Sequence, residues 1–127
     1  MKELEKKILK YLKDRKWDDL RPSDLSKSIM IEGAELLELF QWENFSLKEV
    51  RSDKEKLTEI KKELADVLIY AIQMSVLLGF NTKKIVAEKL AHANKKYPAK
   101  LVKNRFGNSK ANDNYLRIKK EYRKKGL

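Results

Sequence analysis

Apolar residues recur at helical spacing along most of this chain, and no segment shows the strict alternation of a strand. Leu4, Ile8, Tyr11 and Leu12 fall three and four apart, which predicts a helix over about 2–14. Trp17 to Pro22 reads as a turn, and Ser23 is a suitable N-cap for a second helix over about 24–43. Ser46 and Ser52 each precede a glutamate by three positions, Glu49 and Glu55, which is the form of a capping box. The first predicts a short helical turn. The second predicts a long helix that ends near Leu78, with Gly79 as its stop. Asn81 or Thr82 caps a fourth helix, which must end before Pro98 because the residue preceding a proline resists the helical region. Beyond Pro98 the pattern weakens into a Lys-, Arg- and Asn-rich tail with a short helix over about 112–125. The expected fold class is all-α, a four-helix bundle-type domain over 1–98 followed by a basic C-terminal extension over 99–127.

The second and third long helices carry an unusual pattern. Projected at 100° per residue, the second places Glu32, Glu35, Glu38, Leu39 and Trp42 on one face. Ile29, Leu36 and Phe40 lie beside that face, and Met30 and Leu37 lie opposite. In the third, Glu59, Glu63, Asp66, Tyr70 and Gln73 share a face, and Leu64, Leu68, Ile69, Ile72 and Val76 cover the rest. Helices apolar nearly all round are expected to be buried, and buried carboxylates must be paired or hold a cation. A single Glu-x-x-Glu is ordinarily a solvated face. Here two acidic pairs, Glu35-x-x-Glu38 and Glu63-x-x-Asp66, lie in the two long stretches free of Lys and Arg, 28–47 and 63–82. Antiparallel packing would bring the pairs opposite one another as a four-carboxylate cage. Mg²⁺ suits such a cage because it takes oxygen ligands and usually brings a phosphate with it. A carboxylate-bridged di-iron bundle wants Glu-x-x-His pairs, and neither pair ends in His. His92 is the only histidine, so an imidazole metal site has no second ligand.

Composition narrows the setting. A chain of 127 residues is one domain by length, and the absence of Cys removes disulfides and thiolate metal sites. The charged N-terminus is no secretory signal, and no apolar run reaches the length of a membrane span, so a soluble cytoplasmic protein is expected. The net charge of +11 fits a Lys-rich solvated surface, or attraction to polyphosphate or nucleic acid. A basic helical nucleic-acid-binding or scaffolding protein, using 95–125, is the alternative. It leaves the two Lys-free acidic stretches unexplained, and nucleic acid and membrane are not expected as partners.

The string Ile31-Glu32-Gly33-Ala34-Glu35-Leu36-Leu37-Glu38-Leu39-Phe40-Gln41-Trp42, followed by Glu63-Leu64-Ala65-Asp66-Val67-Leu68-Ile69-Tyr70, resembles the MazG-like all-α nucleotide pyrophosphohydrolases. It looks closest to their dCTP-pyrophosphatase-like branch, and Arg15-Lys16-Trp17-Asp18-Asp19-Leu20 and Lys89 to Pro98 extend the likeness. The resemblance implies that the 1–98 domain cuts a nucleoside triphosphate, dCTP or a modified dCTP among the candidates, to monophosphate and pyrophosphate with Mg²⁺. It carries metal binding onto Glu35, Glu38, Glu63 and Asp66, with Glu35 or Glu38 as base for the attacking water. Trp17 and Trp42 resemble positions that wall the base pocket, and Tyr70 lies one turn after Asp66 toward sugar or base. Lys89 and Lys96 are placed for phosphates, and Tyr97 resembles a position near the nucleotide. Two departures stand out. Ala93 occupies the place of a usual Asn, with Asn94 and His92 beside it, and Ala34 replaces the first acid of an adjacent pair, a small residue that also marks the branch. Glu32 then reads as an outer acid. The resemblance also implies a homodimer or homotetramer, in keeping with helices apolar on more sides than a small monomer covers.

Overall fold

The computed structural model describes residues 1–127 as helices and turns with no strand. Contacts divide the chain into two compact units, 1–82 and 83–127, a boundary that falls at the start of the fourth long helix. The first unit holds α1 (Lys2–Asp14), α2 (Pro22–Glu38), α3 (Leu47–Arg51) and α4 (Lys54–Leu77). Both α1 and α2 pack along α4, which is therefore the axis of the unit.

Each boundary has a local cause. Pro22 occupies the first turn of α2, where its fixed φ suits a helix and its missing N–H is not needed. The N-cap is therefore Arg21 rather than the expected Ser23. α2 also stops at Glu38, short of the expected 43. The Leu39 carbonyl, which would accept the next helical bond, instead accepts from Lys56 Nζ at 2.6 Å. That ammonium also lies 5.5 Å from the Phe40 ring and 5.2 Å from the Phe45 ring. A cation on the last carbonyls of a helix is favoured by the helix dipole. Ser46 forms the expected capping box with Glu49. Ser52 does not cap α4. Its hydroxyl donates to Lys48 O at 2.7 Å and closes α3, and Asp53 caps α4 by accepting from Lys56 N at 3.0 Å. Gly79, at φ +75°, ends the α4 segment in the left-handed region that glycine enters without strain.

The core of this unit joins α1 to α4. Leu12 is fully buried and packs with Ile8 and Ile72, flanked by Leu20, Val76 and Leu77. A second tie closes the same end. Thr82 N donates to Glu5 Oε1 at 2.9 Å, and the Ser75 and Thr82 hydroxyls bond at 2.7 Å. The Thr82 hydrogen bonds hold the Glu5 carboxyl below the usual carboxylate range. Because this core is small, Leu12→Ala should cost about 2–5 kcal/mol, read as a lower urea midpoint with an unchanged slope.

The all-round burial expected of α2 is not realised within one chain. Leu25 is its only fully buried residue, and Met30 and Leu37 are 69% and 63% exposed. Leu64, Leu68 and Ile69 of α4 are exposed as well. The reason is simple geometry: α2 has α4 on one side and no further helix of this unit on the other.

The second unit contains nearly all of α5 (Thr82–Lys96), a short α6 (Ala99–Val102), a 3₁₀ turn over Arg105–Gly107 and α7 (Ser109–Lys124). α5 ends two residues before Pro98, as expected. The tail is more ordered than the sequence suggests. α7 starts at Ser109 rather than near 112 because the Asn108 side chain caps it, accepting from Ala111 N at 3.2 Å. Ala111 and Ile118 are buried, and the Tyr97 and Tyr115 rings stack at 4.8 Å. No single helix of the chain is long and apolar enough to cross a membrane.

Candidate metal centre

Where α2 runs along α4, three carboxylates converge. Glu32 from α2 and Glu63 and Asp66 from α4 each bring one oxygen within 4.8 Å of the others, and all three are half-buried. Glu35, one turn beyond Glu32 and more exposed, meets both Glu32 and Glu63 with its carboxyl. The cluster thus unites Glu35, Glu63 and Asp66, as the sequence pattern suggests, with Glu32 in addition.

Electrostatics show what the cluster lacks. The Glu35 pKa is raised, first by its side-chain contact with Glu32 and then by that group's negative charge. Glu63 is also raised, chiefly by burial and next by the charge of Glu35. Lys62 opposes the rise at Glu63 without cancelling it. None of the chain's ion pairs involves a member of the cluster. Glu63 Oε2 is shielded from solvent and has no hydrogen-bond partner. A buried carboxylate oxygen without donor or cation is rare in folded proteins. The all-oxygen donor set and this orphan oxygen both fit a hard divalent cation, which would remove the repulsion that raises the two pKa values.

Glu38 stands apart. It is the last residue of α2, is exposed, and reaches Glu35 through its charge alone. A carboxylate is disfavoured at the negative end of a helix dipole, whereas Glu32 sits in mid-helix against α4. In sequence, Glu32-x-x-Glu35-x-x-Glu38 offers two overlapping pairs with identical spacing. The half-buried Ile29 and Leu36 around Glu32 were the available signal for choosing the first.

A groove of about 340 Å³ lies beside the cluster, between α1 and α4. Asp66 lines it together with Leu4, Lys7, Ile8, Tyr11, Ile69, Tyr70 and Gln73. Tyr70 thus lines the same groove as Asp66, one turn further along α4. The contributions of α1, Lys7 and Tyr11 above all, went unread because they carry no motif. Trp17 is 47% exposed and meets the Tyr11 ring edge-on at 6.1 Å, so it borders this groove through Tyr11. Trp42 lies in the turn after α2 and is 86% exposed. The other expected ligand residues lie in the second unit. Lys89 is exposed on α5. Lys96 Nζ lies 5.3 Å from the Tyr97 ring and 5.2 Å from the Tyr122 ring. Tyr97 is engaged with Tyr115, and burial raises the pKa of its phenol. His92 meets Tyr122 edge-on at 5.9 Å, a packing contact rather than a ligand position.

Comparison with known proteins follows the same line. Residues 27–110 match the MazG-like family, a span that includes both acidic helices and continues past Pro98. A pyrophosphatase from Archaeoglobus fulgidus DSM 4304, solved as a crystal structure, is 36% identical to this chain. The likeness covers 77% of this chain and 92% of that one, with a TM-score of 0.66. No curated protein matches.

Proposed function

Because this chain belongs to the MazG-like family, we propose that it is a Mg²⁺-dependent nucleoside triphosphate pyrophosphohydrolase. The reaction adds water at the α phosphorus, breaks the α–β phosphoanhydride bond and releases a nucleoside monophosphate and pyrophosphate. The observation that carries this reading is the carboxylate cluster with its unpartnered Glu63 oxygen, one member of which, Asp66, lines a groove large enough for a nucleoside. A pyrophosphatase of the same fold, at 36% identity, supports it.

Glu32, Glu35, Glu63 and Asp66 would hold the metal. Bound there, Mg²⁺ would neutralise phosphate oxygens and make the α phosphorus a better electrophile. Glu35, the more exposed member and in contact with both Glu32 and Glu63, is the one we assign to take the proton of the attacking water. Glu38, at the exposed end of α2, adds negative charge near Glu35. Tyr70 and the α1 wall, with Trp17 behind Tyr11, would receive sugar and base. Trp42 is a flat, exposed ring suited to stacking, and Lys89, Lys96 and Tyr97 are carried as contacts to the nucleotide. The apolar side chains left uncovered on α2 and α4 support a homodimer or homotetramer. Such a reaction would serve nucleotide-pool control, and a cytoplasmic setting is part of the same proposal.

The test is a panel of canonical and modified nucleoside triphosphates, dCTP and modified dCTP included, with Mg²⁺ and detection of released pyrophosphate. Stoichiometric monophosphate and pyrophosphate are expected from at least one deoxynucleotide. A folded protein that releases pyrophosphate from none of them would remove the reading.

A further inference from the structure

Gln73 is 4% exposed, yet its side chain takes part in no hydrogen bond within the protein. What little of it meets solvent does so in the groove between α1 and α4, which it lines. It stands seven residues after Asp66 on the same helix, about 10.5 Å along the axis by helical rise. Tyr70 lies between them on the same face, and Ile8, Tyr11 and Ile69 supply the apolar walls. With phosphates at the acid cluster, a nucleoside lying along this groove would carry its base toward Gln73. The Gln73 amide is not among the side-chain atoms shielded from solvent, so its donor and acceptor are open to a ligand in the groove.

We propose that Gln73 is the residue that reads the base edge, through an amide that no neighbour holds in one orientation. This rests on the pyrophosphohydrolase reading for the position of the phosphates. A carboxamide presents a donor and an acceptor side by side, and the two exchange places by a half-turn. In one orientation its oxygen accepts from the cytosine amino group while its NH₂ donates to N3. In the other, its oxygen accepts from N3–H of uracil or thymine and its NH₂ donates to O4. Since nothing in the protein pins the amide, both edges are served alike. Gln73 is therefore selective for an intact base-pairing edge and not for cytosine over uracil. A methyl group on N3 removes one bond and blocks the other.

The test is calorimetric titration of dCMP, dUMP and 3-methyl-dUMP, all with Mg²⁺, into the full chain and into Gln73→Met and Gln73→Glu. Methionine keeps the length of the side chain and removes both polar groups, and glutamate keeps the shape and removes the donor. For the unmodified chain, dCMP and dUMP should bind within about threefold of each other, and 3-methyl-dUMP about tenfold more weakly, the worth of one good hydrogen bond. Gln73→Met should bring all three within about threefold, and Gln73→Glu should weaken dCMP and dUMP by about tenfold. Circular dichroism reports whether each variant is folded. A folded Gln73→Met that keeps the discrimination against 3-methyl-dUMP would overturn the proposal, as would a folded Gln73→Glu with unchanged affinities. A preference of more than about tenfold between dCMP and dUMP would also overturn it, since the amide would then be fixed. Binding needs no turnover. Selective binding through Gln73 in a protein that releases no pyrophosphate would keep this inference and remove the hydrolase reading.

Discussion

Glu32→Gln and Asp66→Asn should each lower kcat/KM for pyrophosphate release by about a hundred- to a thousand-fold, whereas Glu38→Gln should cost less than about tenfold. The first two each replace a carboxylate that brings an oxygen within 4.8 Å of the other cluster members at the α2–α4 contact. The third removes a charge at the exposed end of α2 that touches none of them. A metal held against a triphosphate supplies several kcal/mol of transition-state stabilisation, and loss of one anionic ligand forfeits much of it. The substitutions are nearly isosteric, and no ion pair of the chain depends on these side chains. Unchanged circular dichroism is therefore expected. The measurement is steady-state kinetics across a Mg²⁺ titration, in which Glu32→Gln and Asp66→Asn should also need more metal for half-maximal rate. Equal damage from Glu38→Gln and Glu32→Gln would shift the ligand set one turn toward the C-terminus of α2.

Removing divalent cations should abolish pyrophosphate release and change how stability depends on pH. In the metal-free protein, Glu35 and Glu63 have pKa values raised above the ordinary 4.5, by contact with Glu32 and by burial respectively. The folded state then binds protons more tightly than the unfolded state at these positions. Their contribution is fully present below the unfolded value and is lost as pH rises through the raised folded values. Glu5 acts in the opposite sense. Its pKa is lowered by Thr82, so its contribution is present above the unfolded value and is lost as pH falls through the lowered one. Glu35→Gln should therefore raise the melting temperature of the metal-free protein at neutral pH and leave it nearly unchanged near pH 4. Added Mg²⁺ should stabilise the unmodified protein at neutral pH by binding only the folded form, and stabilise the variant less. Thermal melts at the two pH values, with chelator and with Mg²⁺, check both parts. A variant melting at the same temperature as the parent in chelator at neutral pH would mean that the carboxylates do not repel one another in the fold.

Much of the helical layout was legible because its signals are local. Leu4, Ile8 and Leu12 mark α1, Ser46 with Glu49 marks α3, Gly79 stops α4, and Pro98 limits α5. Errors arose where two local signals compete. Ser23 and Pro22 both suit a helix start, and proline in the first turn prevailed. Ser52 and Asp53 both suit the cap of α4, and the serine was already committed to α3. The early end of α2 was not legible, because Lys56, 17 positions away, takes the Leu39 carbonyl. The acid cluster was half legible for a related reason. Three glutamates at equal spacing mark a face without saying which two of them meet a partner.

By itself the sequence determined that this protein is all-helical and that two acidic stretches, 28–47 and 63–82, carry no lysine or arginine. Periodicity, caps and composition act over a few residues and need no partner. It also marked where the acids lie, in two stretches without lysine on two different helices. Only the tertiary structure decided that Glu32 rather than Glu38 joins Glu63 and Asp66, and that α1 adds a groove ending at Gln73. Which side chains converge depends on the relative rotation and depth of helices far apart in the chain. That is fixed by the packing of Leu12 against Ile72 and of α2 along α4, and no short stretch of sequence records it.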